Sequence, residues 1–266
     1  MSKGIFSSFN ENDKLFEFIE KENPIWWQNI IEDDELYIEL RKDNYINVYY
    51  YGGCVAKISY KRELKAMISN KYLDSSIEGQ GSYVDCLGKL ESKSEIDDIK
   101  FMIKEVYLKK EKNAKEKIFQ GDFKLMSKDN YIDSEFAYNS EEQRVRIDLV
   151  KLENGLLTFV ELKLITNEEL TSRSKVNNEI KIINQMNKYS EFILDYKDEF
   201  IPYYKKILLV KKRLGIINDI PEINNVNQTP LLLIFNTYIN RTKGQDGRIA
   251  NIHKIISKKN FDFKIR

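Results

Sequence analysis

The stretch from Arg144 to Lys163 reads RVRIDLVKLENGLLTFVELK, and its pattern of polar and apolar residues decides the fold predicted for this chain. Apolar residues occupy every second position in two runs, a spacing that indicates half-buried β-strands. Asn154 and Gly155 separate the two runs, and Asn-Gly is a strong signal for a two-residue hairpin turn. We therefore predict a β-hairpin. Its alternating apolar positions are Val145, Ile147 and Leu149, then Val160, Leu162 and Leu164.

The two-residue turn fixes which residues of the hairpin face each other. With Asn154-Gly155 as the loop, Asp148 faces Glu161 and Arg146 faces Lys163. Side chains alternate along a strand, so these four side chains share one face of the hairpin. Directly opposed residues have Cβ atoms about 4.5–5.5 Å apart, and like charges at that distance are destabilising. The carboxylates of Asp148 and Glu161 therefore need compensation.

A divalent cation would compensate this carboxylate pair. Hard oxygen ligands suit Mg²⁺ or Mn²⁺, so the predicted metal ligands are Asp148 and Glu161. The alternative is a salt-bridged surface ladder, in which Arg146 and Lys163 neutralise the two carboxylates. The register alone is compatible with both arrangements.

The same residues resemble a known sequence motif. Asp148, followed after a gap of twelve residues by Glu161-Leu162-Lys163, is similar to the D…(D/E)xK motif of the PD-(D/E)XK nuclease superfamily. In that family the motif also lies on a hairpin. The proline of the family name is absent, because Ile147 precedes Asp148.

A second motif strengthens the resemblance. Gln185 and Tyr189, in the run INQMNKY, resemble the QxxxY motif that follows the hairpin in RecB-like members of the superfamily. The resemblance covers residues 95 to 240. It implies an α/β fold with a restriction-endonuclease-like α-β-β-β-α-β core and a mixed sheet.

The resemblance also implies an activity. Residues 91–266 are expected to form the nuclease-like domain, and residues 1–90 a small N-terminal α+β domain with an antiparallel meander over residues 35–60. The expected reaction is hydrolysis of phosphodiester bonds in DNA with Mg²⁺ or Mn²⁺ as cofactor, and RNA is the alternative substrate. A role in defence against foreign DNA or in repair is compatible with this activity. The implied catalytic residues are Asp148, Glu161, Lys163, Gln185 and Tyr189.

Two further carboxylates are candidate metal ligands. Glu116 lies on a helix predicted over residues 95–119, and the first helix of the family often supplies a carboxylate to the site. Glu135 lies within a strand predicted over residues 131–139. An exposed helix or strand face is the alternative for each.

Later segments complete the predicted core. We predict a helix from about Val176 to Tyr196, a buried strand over residues 207–211 after Pro202, and a strand after Pro230. The tail around residues 241–266 is basic and has few structure signals, and its Arg241, Lys243 and Arg248 are candidate phosphate contacts. The densest basic cluster, predicted to bind nucleic acid, consists of Lys205, Lys206, Lys211, Lys212 and Arg213.

Composition limits the other classes of function. The chain has 266 residues with 43 Lys and Arg against 42 Asp and Glu, so its net charge of +1 does not itself indicate nucleic-acid binding. The two cysteines and the single histidine, His253, have no zinc-site spacing, and they argue against a histidine-based triad or a histidine-rich metal site. The absence of any apolar run of about 20 residues predicts a protein that does not span a membrane, and we expect it in the cytoplasm. The oligomeric state is left open, a homodimer included.

A binding module is the rival class to an enzyme. A degenerate nuclease fold can bind nucleic acid or a partner protein without catalysis, and such a fold usually loses a key residue of its site. All five motif residues are present here, which favours the enzyme.

Overall fold

The computed structural model of the chain describes residues 6–74, 76, 81–109, 111–127, 130–140, 144–175, 178–257, 259 and 261–266. Its helices are α1 (Lys14–Glu22), α2 (Ile25–Ile31), α3 (Leu87–Leu90), α4 (Lys93–Lys109), α5 (Glu111–Met126), α6 (Lys181–Arg213) and α7 (Lys243–Ile256). Its strands are β1 (Tyr37–Arg41), β2 (Tyr45–Tyr50), β3 (Gly53–Tyr60), β4 (Leu64–Ser69), β5 (Tyr83–Asp85), β6 (Tyr131–Asn139), β7 (Arg144–Glu153), β8 (Leu156–Leu164), β9 (Asn225–Val226), β10 (Leu231–Phe235) and β11 (Asp262–Ile265). Single 3-10 turns span Asn70–Tyr72 and Glu168–Leu170.

The chain forms two compact units. The first comprises Met1–Lys128 with Ile201–Glu222, and the second comprises Asp129–Phe200 with Ile223–Arg266. This division differs from the predicted boundary between residues 90 and 91. The reason is that α4 packs against β3 and α5 packs against β1, so both helices belong to the first unit.

The first unit contains a five-stranded antiparallel sheet. Its strands follow the chain order β1-β2-β3-β4-β5, each hydrogen-bonded to the next. The meander predicted over residues 35–60 is therefore confirmed, and the sheet contains two further strands, β4 and β5. The tryptophans of α2, Trp26 and Trp27, are buried in this unit, and Trp27 Nε1 donates to the carbonyl oxygen of Leu214 at 3.1 Å.

Strand β1 is buried along its whole length, although its polar positions alternate with apolar ones. Glu39 at its centre is fully buried, and its carboxylate lies 3.1 Å from Lys124 Nζ and 2.7 Å from Lys211 Nζ. Burial alone would raise the pKa of the Glu39 carboxyl. The charges of Lys124, Lys211 and Arg41 outweigh that effect and lower the pKa from 4.5 to about 2.

The second unit contains a mixed sheet. Its order is β11-β10-β8-β7-β6, with β9 also paired to β8. Strand β7 is antiparallel to both β6 and β8, whereas β8 is parallel to β9 and β10, and β10 is also parallel to β11. The predicted α/β class with a mixed sheet is confirmed at this level.

The predicted hairpin is formed by β7 and β8. Asn154 and Gly155 have φ of 52° and 76°, the left-handed values that a type I′ turn requires at both central positions. From this turn the strands pair in the predicted register as far as Leu149↔Val160. The local signals of turn and alternation were therefore sufficient to fix the pairing.

The strand predicted over residues 207–211 is wrong, because α6 continues to Arg213. Its buried residues follow helical spacing, and Leu209 is exposed within the apolar run that suggested a strand. Pro202 lies inside the helix, where it removes one main-chain donor without ending the helix. The buried side chains between residues 203 and 214 are those of Tyr203, Tyr204, Ile207, Leu208, Val210, Lys211 and Leu214.

The start near Val176 that was predicted for this helix lies outside the described residues.

The C-terminal tail is more regular than its sequence suggested. Helix α7 begins with a capping box in which Thr242 and Gln245 exchange side-chain and main-chain hydrogen bonds. Strand β11 then pairs with β10 in parallel. Across the described part of the chain, no helix combines the length and apolar character needed to cross a bilayer.

Candidate active site

The buried carboxylate of Glu161 is the centre of the candidate site. Glu161 lies on β8 with 2% of its surface exposed. Lys163 Nζ lies 2.7 Å from its Oε1, and Gln185 Nε2 donates to the same oxygen at 2.8 Å. The hydroxyl of Tyr189 lies 3.2 Å from Oε2. Four residues singled out from the sequence therefore meet at one carboxylate.

Helix α6 presents Gln185 and Tyr189 together because residues four apart lie on the same side of a helix. Gln185 Nε2 also donates to the Tyr189 hydroxyl at 2.7 Å, and that hydroxyl donates to the main-chain oxygen of Arg146. Both side chains point toward the hairpin, as the QxxxY spacing predicted. A catalytic role for either residue remains a prediction.

Asp148 lies just beyond the last paired position of the hairpin. Its Oδ2 accepts a hydrogen bond from the main-chain N–H of Leu162 at 2.8 Å. The side chain thus binds β8 where the ladder has stopped at Leu149↔Val160. This contact holds the carboxylate of Asp148 beside the main chain that follows Glu161.

Burial dominates the electrostatics of Glu161. It raises the pKa of the Glu161 carboxyl, while the Lys163 charge and the hydrogen bonds from Lys163, Tyr189 and Gln185 oppose that rise. Burial and the nearby Glu161 also raise the pKa of the Tyr189 phenol. Tyr189 therefore acts as a neutral hydrogen-bond donor at this site.

Glu135 has an unusual main-chain conformation next to Asp148. The φ angle of Glu135 is 54°. On β6 it lies between Ser134 and Phe136, which pair with Leu149 and Ile147, so its position is opposite Asp148 on β7. Left-handed main-chain conformations are strained for residues with a Cβ atom, and such strain clusters at functional sites. The Glu135 carboxylate forms an ion pair with Arg146, a contact that the sequence did not predict.

The other predicted metal ligand, Glu116, is on α5 in the first unit. The motif residues all belong to the second unit, on β7, β8 and α6. A metal-binding role for Glu116 therefore stays a prediction from the family resemblance.

The predicted basic cluster is partly engaged in ion pairs within the first unit. Lys211 is buried against Glu39, and Arg213 Nε donates to both oxygens of Glu20 at 3.1 and 3.2 Å. These contacts give Lys211 and Arg213 a structural role, contrary to the expectation of a surface cluster. Lys205, Lys206 and Lys212 are exposed.

In the tail, Arg248 also differs from its predicted role as a phosphate contact. Its Nε donates to the main-chain oxygen of Ile165 and its Nη2 to that of Asn167, each at 2.8 Å. The Nε atom of Arg241 lies 3.5 Å from Oδ1 of Asp246, and both side chains are largely exposed.

The donor set suits a hard divalent cation held by few protein ligands. Within the described ranges, no three His, Cys, Asp or Glu side chains are grouped closely enough to hold a metal ion. Asp148 and Glu161 supply two carboxylates, and Mg²⁺ commonly binds through one or two carboxylates while keeping several water ligands. A shared cation at Asp148 and Glu161 therefore stays a prediction.

No family model, curated protein or solved structure matches this chain. Membership of the nuclease superfamily therefore stays a prediction from the two sequence motifs.

Sequence reasoning missed one residue at the site. Lys163 Nζ lies 3.2 Å from Oε2 of Glu169, which belongs to the 3-10 turn after β8. The local sequence TNEELTS contains several polar residues, and no pattern in it distinguishes Glu169 from Glu168. Only the fold brings this carboxylate to the lysine.

Proposed function

We propose that this chain is a metal-dependent nuclease that hydrolyses phosphodiester bonds of DNA. The observation that carries the proposal is the set of contacts around Glu161, where Lys163, Gln185 and Tyr189 all reach one buried carboxylate. A buried carboxylate with organised partners is typical of a functional site. In the second unit, the element order β6, β7, β8, α6, β9, β10 contains the β-β-β-α-β part of the PD-(D/E)XK order, with the short strand β9 as an addition between α6 and β10.

Each residue has a distinct role in the proposed mechanism. Asp148 and Glu161 would hold Mg²⁺ or Mn²⁺, which supplies a bound water of lowered pKa and stabilises charge on the phosphate. Lys163, two residues beyond Glu161 on the same face, orients the attacking water and stabilises the developing negative charge. Gln185 holds the Glu161 carboxylate by donating a hydrogen bond to Oε1, and the Tyr189 hydroxyl lies within reach of Oε2 while its one proton is shared with the main-chain oxygen of Arg146.

DNA is the proposed substrate because the two motifs together resemble the RecB-like group. RNA contains the same phosphodiester linkage, so RNA belongs in the same assay. Defence against foreign DNA and DNA repair are the proposed biological settings.

A catalytically inactive binding module is the second candidate. It is favoured by the hydrogen bonds and ion pair that already occupy both oxygens of Glu161. Such a network can serve purely to stabilise the helix on the sheet. The two candidates differ in one consequence: only the nuclease needs a divalent cation.

The experiment is a cleavage assay with linear, circular and single-stranded DNA and with RNA, with and without Mg²⁺ or Mn²⁺. Wild type should cleave at least one substrate, and chelation should abolish cleavage. Asp148→Asn should weaken cation binding as well as rate, because it removes one ligand charge. Glu153→Gln is the matched control, since Glu153 is a carboxylate near the turn of the same hairpin. No cleavage and no cation binding by wild type would favour the binding module.

A further inference from the structure

We propose that Glu169 is a positioning residue that takes the Lys163 ammonium from Glu161 when a divalent cation binds. The inference rests on the proposed function, because a cation at Asp148 and Glu161 is what would require Lys163 to move. It assigns a function to a carboxylate outside both sequence motifs.

The carboxylate of Glu161 is crowded by its present partners. Lys163 and Gln185 both contact Oε1, at 2.7 and 2.8 Å, and Tyr189 contacts Oε2. Mg²⁺ binds oxygen at about 2.0–2.1 Å. A dication bound to either oxygen of the Glu161 carboxylate would therefore lie close to the Lys163 ammonium, and the two positive charges would repel. Lys163 is the charged partner that has to leave.

Another carboxylate, that of Glu169, already lies within reach of the Lys163 ammonium. Oε2 of Glu169 is 3.2 Å from the same Nζ atom. A lysine ammonium has three donors on a flexible stem, so it can change partners by side-chain rotation alone. Lys163 can therefore give up Glu161 without any movement of β8.

Hydrogen bonds to the main chain hold the turn that contains Glu169 in place. Asn167 caps it by accepting a hydrogen bond from the Glu169 main-chain N–H at 2.9 Å. Arg248 donates to the main-chain oxygens of Asn167 and Ile165 at 2.8 Å each, and Leu170 is fully buried. These contacts fix the main chain from which Glu169 reaches Lys163.

The exposure of the two carboxylates also suits an exchange. The Glu169 side chain is 44% exposed, whereas that of Glu161 is 3% exposed. After the exchange the buried carboxylate would be available to the cation, and the more exposed carboxylate would hold the lysine.

The test measures Mn²⁺ affinity from the electron paramagnetic resonance signal of free Mn²⁺, for wild type, Glu169→Gln and Glu168→Gln. Glu169→Gln should weaken Mn²⁺ binding about tenfold, as loss of an outer partner of a metal site commonly does. Glu168→Gln removes the same charge from the same turn at an exposed position, and it should weaken binding about twofold or less because solvent screens it. Glu169→Ala serves as a second variant and should show the larger loss.

The same measurement in a Lys163→Met background separates exchange from a simple charge effect. Without an ammonium to relocate, Glu169→Gln should change Mn²⁺ affinity no more than Glu168→Gln does. An equal loss in both backgrounds would overturn the inference, as would equal affinities of wild type and Glu169→Gln. Those results would leave the proposed nuclease intact, whereas a wild type that binds no Mn²⁺ would refute the proposed function and this inference together.

Discussion

Replacing Glu39 by Gln should destabilise the first unit in a manner that depends on pH. Glu39 is fully buried between Lys124 and Lys211, and its folded-state pKa is about 2 against an ordinary 4.5. One pKa unit corresponds to about 1.4 kcal/mol, so the ionised carboxylate contributes about 3 kcal/mol at pH 7. Glutamine keeps the shape of the glutamate side chain, but it removes the negative charge that compensates the buried ammonium groups of Lys124 and Lys211.

The sign of the pH dependence follows from the lowered pKa. A carboxyl group whose pKa is lower in the folded state stabilises the protein above its unfolded-state pKa. That contribution is lost as the pH falls from 4.5 toward 2. The difference between wild type and Glu39→Gln should therefore decrease from about 3 kcal/mol at pH 7 to about 1 kcal/mol at pH 3.

Urea unfolding followed by tryptophan fluorescence measures this difference. The two tryptophans of the chain, Trp26 and Trp27, are both buried in the first unit, so their signal reports on the unit that contains Glu39. Glu63→Gln is the control, because Glu63 pairs with Lys65 on the surface and should show no such pH dependence. A Glu39→Gln protein as stable as wild type at pH 7, or a difference that does not change with pH, would refute the reasoning.

Two other substitutions test the main chain around the candidate site. Gly155→Ala should lower the free energy of unfolding by about 1–2 kcal/mol, measured by urea unfolding followed by circular dichroism. The reason is that Gly155 has a φ of 76° and that an added Cβ would lie 2.6 Å from Asn224 Nδ2. An unchanged unfolding midpoint would count against the type I′ turn. Glu135→Gly should be more stable than Glu135→Ala by about 1 kcal/mol, because both remove the ion pair with Arg146 and only glycine relieves the left-handed conformation. Equal stability of these two variants would show that the conformation at Glu135 carries no strain.

The hairpin and its contacts with α6 were predictable because their signals are local. Asn154-Gly155 fixes the turn, and the turn fixes the register, which is observed as far as Leu149↔Val160, one position before Asp148 and Glu161. The four-residue spacing of Gln185 and Tyr189 then puts both on one side of α6. The packing of this helix on the hairpin is a contact between distant segments, and it was expected from the resemblance to the QxxxY motif rather than from a local signal.

What the sequence did not reveal depends on contacts between distant segments. Glu39 alternates with apolar neighbours like a solvent-facing residue, and only the packing of Lys124 and Lys211 against β1 buries it. Residues 207–211 form a short apolar run that suits a strand or a helix equally, and their burial pattern decides for the helix. The Lys163–Glu169 contact depends on how the turn after β8 folds back, which no local pattern specifies.

A role of Lys163 in metal-dependent hydrolysis is tested by the single-turnover rate of DNA cleavage with Mg²⁺ or Mn²⁺ for wild type, Lys163→Met and Lys151→Met. Lys151 is a matched control on the same hairpin, paired with Glu153 near the turn. We expect Lys163→Met to remain folded but to cleave about 10²–10⁴-fold more slowly, and Lys151→Met to cleave like wild type. Equal rates for wild type and Lys163→Met would show that Lys163 has no part in hydrolysis.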